Sequence, residues 1–283
     1  MPVAVLCYAL YLSEPQHKEP LKIVKKSLDG IAATSVKKRP PIPAILLQLL
    51  CCAIFLLPLP AMALNIPEKL VYELSWTGIT AGTATQEIAE EQGVIRILST
   101  ARSSAWISMF FPVDDRIEGT LAKAAPPLLG LPLTFRMKIS EGKHKRDREI
   151  TFDHVQRKAH YVDHLGKDTV DLDISSDTYD TYSSFFYIRT LPLEVGKSVY
   201  VNVLDNKQLW KVEVQVLKKE RISTDLGEFN TILIKPLIKS EGIFEKKGEI
   251  YIWLTDDEKR VPIRMRTKVT IGSITATLVG GNY

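Results

Sequence analysis

Cysteine is nearly missing from this chain: three residues in 283, at Cys7, Cys51 and Cys52, all ahead of Ala63. From Leu64 onward there is none, which excludes both disulfide support and thiol chemistry for that part. No G-x-S-x-G elbow, H-E-x-x-H pair, P-loop or G-x-G-x-x-G turn occurs either, so four common catalytic and nucleotide-binding signatures are absent. A charge excess is also lacking where it would matter. The formal charge of +4 sits in the first 63 residues, which hold seven of the 37 Lys/Arg and three of the 33 Asp/Glu. Beyond Ala63 the two signs balance at 30 each, so the folded part has no basic footprint for nucleic acid. Long apolar runs are missing too. The most apolar stretch, Ala44 to Leu57, has 14 residues against the roughly 20 needed to span a bilayer core.

What is present begins with an address. Lys37-Lys38-Arg39 is a basic region, Ala44–Leu57 an apolar core, and Ala61-Met62-Ala63 an A-x-A site, the three parts of a secretory signal peptide. Cleavage between Ala63 and Leu64 is expected, dividing the chain into a leader over 1–63 and a single domain over 64–283. Residues 1–35 place a mixed polar segment ahead of the basic region, which is accounted for if translation starts at Val36. Cys51 follows Leu49-Leu50, where the residue before a lipidated cysteine is small, so a lipoprotein is not expected. The expected location is the periplasm, free or peripheral to the outer membrane, with no transmembrane segment in the mature chain.

Beyond Leu64 the dominant signal is period-two alternation, the signature of half-buried strands. Leu70, Tyr72, Leu74 and Trp76 fall on one face; Phe135, Met137 and Ile139 do the same, as do Val212, Val214 and Val216. Turn residues interrupt these runs at Gly78, Gly93, Glu141-Gly142, Asp205-Asn206, Leu226-Gly227, Glu241-Gly242, Asp256-Asp257 and Gly272-Ser273. About a dozen strands on short turns imply antiparallel meanders, because parallel neighbours need longer crossovers. The expected fold is therefore all-β, mainly antiparallel: a single curved sheet or half-open barrel with two short helices. A membrane-spanning barrel is excluded, since Lys143 to Glu149 puts charge on both faces and Lys211 and Glu213 sit mid-strand. The two helices are expected over Ser103–Phe111, with Ser103 or Ser104 as cap, and over Asp177–Leu191, where Tyr179, Tyr182, Phe186 and Arg189 form one stripe.

Side chains with chemistry are few. His160 and His164 would share a strand face roughly 13 Å apart, too far to bind one metal directly. Asp168, Asp171, Asp173, Asp177 and Asp180 lack the glycine and closing glutamate of an EF-hand loop. Asp256-Asp257 reads as a turn rather than an acid/base dyad. No catalytic residue, metal site or cofactor is therefore assigned. Arg189, following Phe185-Phe186-Tyr187, must snorkel or be paired; Asp256 or Asp257 is the expected partner, and a lipid head group the alternative. Trp106, Phe110, Phe111, Phe185 and Phe186 would fill the core, or line the concave side of an open sheet where an apolar ligand fits.

Three stretches carry a resemblance: Tyr72-Glu73-Leu74-Ser75-Trp76-Thr77-Gly78-Ile79 with Ala81-Gly82; Phe185 to Leu193 with Val195-Gly196-Lys197; and Ile252 to Asp257 with Arg260-Val261-Pro262-Ile263. In this order they resemble an uncharacterised family of exported Gram-negative proteins, domain of unknown function 3108, over roughly residues 68 to 280. The resemblance implies an exported, β-rich protein and brings no activity with it. The expected function is a non-catalytic envelope factor that binds an apolar or lipid-like ligand through Trp106, Phe110, Phe111, Phe185, Phe186 and Arg189. The expected partner is a lipid or an envelope protein. A scaffold that pairs through an exposed sheet edge and an uncatalogued hydrolase are the alternatives; the latter requires clustered titratable groups in a cleft.

Overall fold

The computed structural model describes residues 64–125, 129–237, 249–269 and 272–283. The leader, the signal peptide with its cleavage after Ala63, and the turn at Glu241-Gly242 lie outside the described residues. The alternating stretches form strands. In chain order they are β1 (Glu68–Trp76), β2 (Ile79–Glu91), β3 (Val94–Ser103), β4 (Asp114–Ala122), β5 (Pro132–Glu141), β6 (His144–Asp153), β7 (Lys158–Asp163) and β8 (Asp168–Asp173). After these come β9 (Thr178–Asp180), β10 (Ser198–Asp205), β11 (Gln208–Thr224), β12 (Gly227–Leu237), β13 (Ile250–Thr255), β14 (Pro262–Lys268) and β15 (Ser273–Asn282). Two helices interrupt them: α1 (Ala105–Ser108) before β4 and α2 (Ser183–Arg189) before β10.

All fifteen strands belong to one open sheet, built from two meanders. Consecutive strands pair antiparallel within β1–β8, and likewise within β10–β15. β1 and β15 pair antiparallel and join the two halves at the centre. Only β9 breaks the rule, running parallel to β10 at the far edge. The sheet turns back on itself, so that this edge lies against β5. Three tyrosine hydroxyls reach across the fold: Tyr182 donates to the Leu98 carbonyl, Tyr179 to the Leu129 carbonyl and Tyr161 to the Asn206 side-chain oxygen.

The inward positions make two apolar clusters. One gathers Leu70 and Tyr72 of β1 with Val214, Ile234, Ile252, Met265 and Leu278 of the second meander. The other gathers Ile97, Ile117, Phe135, Ile150 and Tyr161 of the first. α2 is the wedge between them: Phe185 belongs to the former cluster and Phe186 to the latter, their rings meeting edge to face with centroids 6.0 Å apart. Burying both rings stabilises the join by about 2 to 3 kcal/mol each.

The helical stretches are shorter than the spacing predicts. Tyr179 is not helical but lies in β9, because the buried Asp180 carboxylate accepts the amides of Tyr182 and Ser183, each at 2.8 Å, and starts the helix only there. In the first stretch only four residues, Ala105 to Ser108, are helical, and none is buried. Trp76, expected on the inward face, is instead exposed at the end of β1, just past a bulge between Leu74 and Ser75 that breaks the ladder to β2.

Candidate functional site

One rim of the sheet gathers four exposed aromatic side chains, Trp76, Trp106, Phe110 and Phe111. The β1–β2 turn, the β3–β4 connection and the β5–β6 turn all emerge at the same ends of their strands. The β3–β4 connection carries Trp106, Met109, Phe110 and Phe111, with Phe110 81% and Met109 74% exposed. Trp76 and Ile79, opposite each other in the β1–β2 ladder, are exposed beside it. Scattered exposed apolar side chains are ordinary, but a cluster of them on one rim makes this segment the candidate site.

The segment is held firmly. The Ser104 amide donates to the Ala81 carbonyl at 2.8 Å, and Trp106 Nε1 to the Thr80 carbonyl at 3.2 Å. The Val113 amide donates to Ser103 Oγ at 2.9 Å, the Phe111 amide to the Ile107 carbonyl at 2.7 Å, and the Gly142 amide to the Pro112 carbonyl at 2.8 Å. These bonds anchor the segment to β2, to the end of β3 and to the β5–β6 turn. Gly142 takes the turn beneath Phe111 at φ +58°, a left-handed conformation that favours glycine; a Cβ there would lie 2.9 Å from Phe111 Cε2 and would push the ring aside.

The six candidate ligand residues thus separate into two groups. Trp106, Phe110 and Phe111 come together on the exposed rim. Phe185, Phe186 and Arg189 are fully buried in the wedge. Arg189 does not pair with Asp256 or Asp257. Its two terminal nitrogens donate to the two carboxylate oxygens of Glu68, both at 2.7 Å, in a fork with almost no exposure. Nη2 also donates to the Lys259 carbonyl at 3.1 Å, so the Asp256–Arg260 turn is reached through its backbone. Asp256 is taken by Lys219 at 2.7 Å and by Arg260, while Asp257 accepts the Thr255 hydroxyl and the amides of Lys259 and Arg260, closing the turn.

Beneath the aromatic segment lies a buried carboxyl pair that alternation conceals, Asp115 at the start of β4 and Glu141 at the end of β5. The Ser140 amide donates to Asp115 Oδ1 at 3.0 Å. Burial, reinforced by the neighbouring carboxylate of Asp115, pushes Glu141 up to about 7, and burial raises Asp115 as well. The histidines do not converge. His154 hydrogen-bonds the Pro132 carbonyl, His160 pairs with Asp171 at 2.7 Å and His164 with Glu149 at 2.9 Å. The aspartates are dispersed likewise: Asp173 meets Lys158, Asp168 meets Lys207 and Asp177 accepts from Asn202. Among the described residues no three His, Cys, Asp or Glu are grouped to hold a metal ion, and no helix is long and apolar enough to cross a membrane.

The fold and its rim define an open, barrel-like antiparallel β protein. The chain belongs to the family described as a protein of unknown function, DUF3108, whose profile matches residues 71–279. Among solved structures it is similar to a beta-barrel-like protein of a domain of unknown function, DUF1849, from Brucella abortus. The two share 14% identity at a TM-score of 0.51, over 78% of this chain and 99% of that one, a likeness of fold alone. A hypothetical protein from Chlamydia trachomatis aligns at a TM-score of 0.36 and 7% identity, over 78% of this chain and 89% of that one. No curated protein matches the chain.

Proposed function

We propose that this is an exported, non-catalytic factor of the cell envelope that engages an apolar, lipid-like ligand through its aromatic rim. The observation that carries the reading is the exposure of Trp106, Met109, Phe110 and Phe111 on a segment pinned by its own backbone hydrogen bonds. A rigid support for outward aromatic groups serves contact, since the core is complete without them. The signal peptide read from residues 37–63 supports an envelope location. The buried aromatics and Arg189 would hold the two halves of the sheet together and take no part in binding.

A sheet-edge partner is a weaker reading. β8 is paired on one side only among the described residues, but its exposed carboxylates Asp171 and Asp173 are of the kind that discourage strand addition.

Tryptophan fluorescence tests the proposal. A brominated fatty acid quenches the wild-type chain, and quenching is lost in the Trp76→Phe/Trp106→Phe variant, which retains Trp210 and Trp253. No quenching of wild type, or equal quenching of the double variant, overturns it.

A further inference from the structure

We infer that the aromatic rim docks on the surface of an anionic phospholipid bilayer, with its apolar side chains entering the interface and the lysines of the neighbouring β5–β6 turn meeting the phosphates. The inference rests on the reading above and names the form in which the lipid is met.

The rim's composition points there. Residues 104–113, which carry the exposed side chains of Trp106, Met109, Phe110 and Phe111, contain no charged residue. The charges flanking them, Arg102 and Asp114, are paired with each other at 3.1 Å, so they add no net charge to the patch. Beside them Phe111 rests on Gly142, and the chain continues as Lys143-His144-Lys145-Arg146, four residues without a carboxylate. Lys143 and Lys145 are exposed there. On the strands below, Asp115 and Glu141 are buried, and Asp147, which follows Arg146, is paired with Arg136 at 3.0 Å, so none of the three offsets that charge at the surface.

A protein partner would be expected to find a recess for anchor side chains. This rim instead exposes them: Phe110 and Met109 are 81% and 74% exposed, whereas the two indoles are half-exposed, Trp76 in the last ladder pair of β1 and Trp106 bonded to the Thr80 carbonyl of β2. Exposed aliphatic and phenyl groups, half-exposed indoles and neighbouring amines are the chemistry of a bilayer interface, where apolar groups enter the acyl boundary, Trp prefers the head-group level and Lys reaches the phosphates. Lysines near an anionic surface add attraction that salt screens.

The test is flotation of the full chain with two kinds of vesicle: phosphatidylcholine alone, and phosphatidylcholine with phosphatidylglycerol as the minority lipid. Wild type is expected to float with the anionic vesicles, less so as salt is raised. Phe110→Glu should weaken binding to them more than about ten-fold. The Lys143→Glu/Lys145→Glu variant should lose a similar factor on anionic vesicles only. All these positions are exposed, so unchanged circular dichroism verifies that the variants fold. Failure of wild type to float, or wild-type flotation of either variant, overturns the inference. If the brominated fatty acid still quenches the rim tryptophans when flotation fails, bilayer docking falls alone and a single-ligand reading stands. If quenching also fails, both fall.

Discussion

The Glu141 carboxyl shows how one residue links the fold to pH. Burial favours its neutral form, so the folded chain keeps a proton that the unfolded chain releases above its ordinary value of 4.5. The stabilising contribution is therefore complete below 4.5 and is lost as pH rises to about 7. Asp205, which burial raises to about 6, acts in the same direction over a lower window. Thermal unfolding followed across this range should show Tm falling with rising pH, and Glu141→Gln should flatten the upper part of the decline. A wild-type Tm independent of pH between 4.5 and 7 would refute this account. Both members of the pair could have been found from parity. Asp115 precedes Ile117 and Leu121 on the inward side of β4, and Glu141 follows Phe135, Met137 and Ile139 on that of β5. Reading alternation only for apolar residues hides the carboxyls it carries inward.

At the scale of elements, α2 and β1 are tied by the Arg189–Glu68 fork. Removing one partner leaves the other charge buried, so Glu68→Gln should cost about 3 to 5 kcal/mol in denaturant unfolding. The double variant Glu68→Gln/Arg189→Met should recover much of that loss. If Glu68→Gln is as stable as wild type, the fork does not hold the wedge. The strands were legible because their alternation is strong, and so was Arg189's need for a partner. The partner itself was not, because 121 residues separate Glu68 from Arg189 and only the return of the sheet brings them together. Glu68 does share the parity of Leu70, Tyr72 and Leu74, which marks it as inward. The helix boundaries were missed for a local reason: 3.6-residue spacing identified the aromatic stripe but could not register the Asp180 side chain that starts the helix.

For the whole molecule, the antiparallel plan follows from short turns, whereas the closing contact of β9 with β5 depends on tertiary packing that no local pattern encodes. The aromatic rim was half visible: Trp106, Phe110 and Phe111 were recognisable as an apolar group, but spacing alone could not distinguish core from surface. The leader carries a prediction at this scale. Protein recovered from the periplasmic fraction should begin at Leu64 by N-terminal sequencing, and recovery of cytosolic protein that retains residues 37–63 would refute export.

The seam at the centre of the sheet has a mechanical consequence. Lys69 faces Asn282, so the first and last strands of the domain enter and leave it side by side, at the same end of one ladder. A force applied across these two ends loads that ladder one rung at a time, in the manner of a zipper, and does not shear its hydrogen bonds together. The domain should yield to gentle traction at its termini while the interior of each meander remains intact.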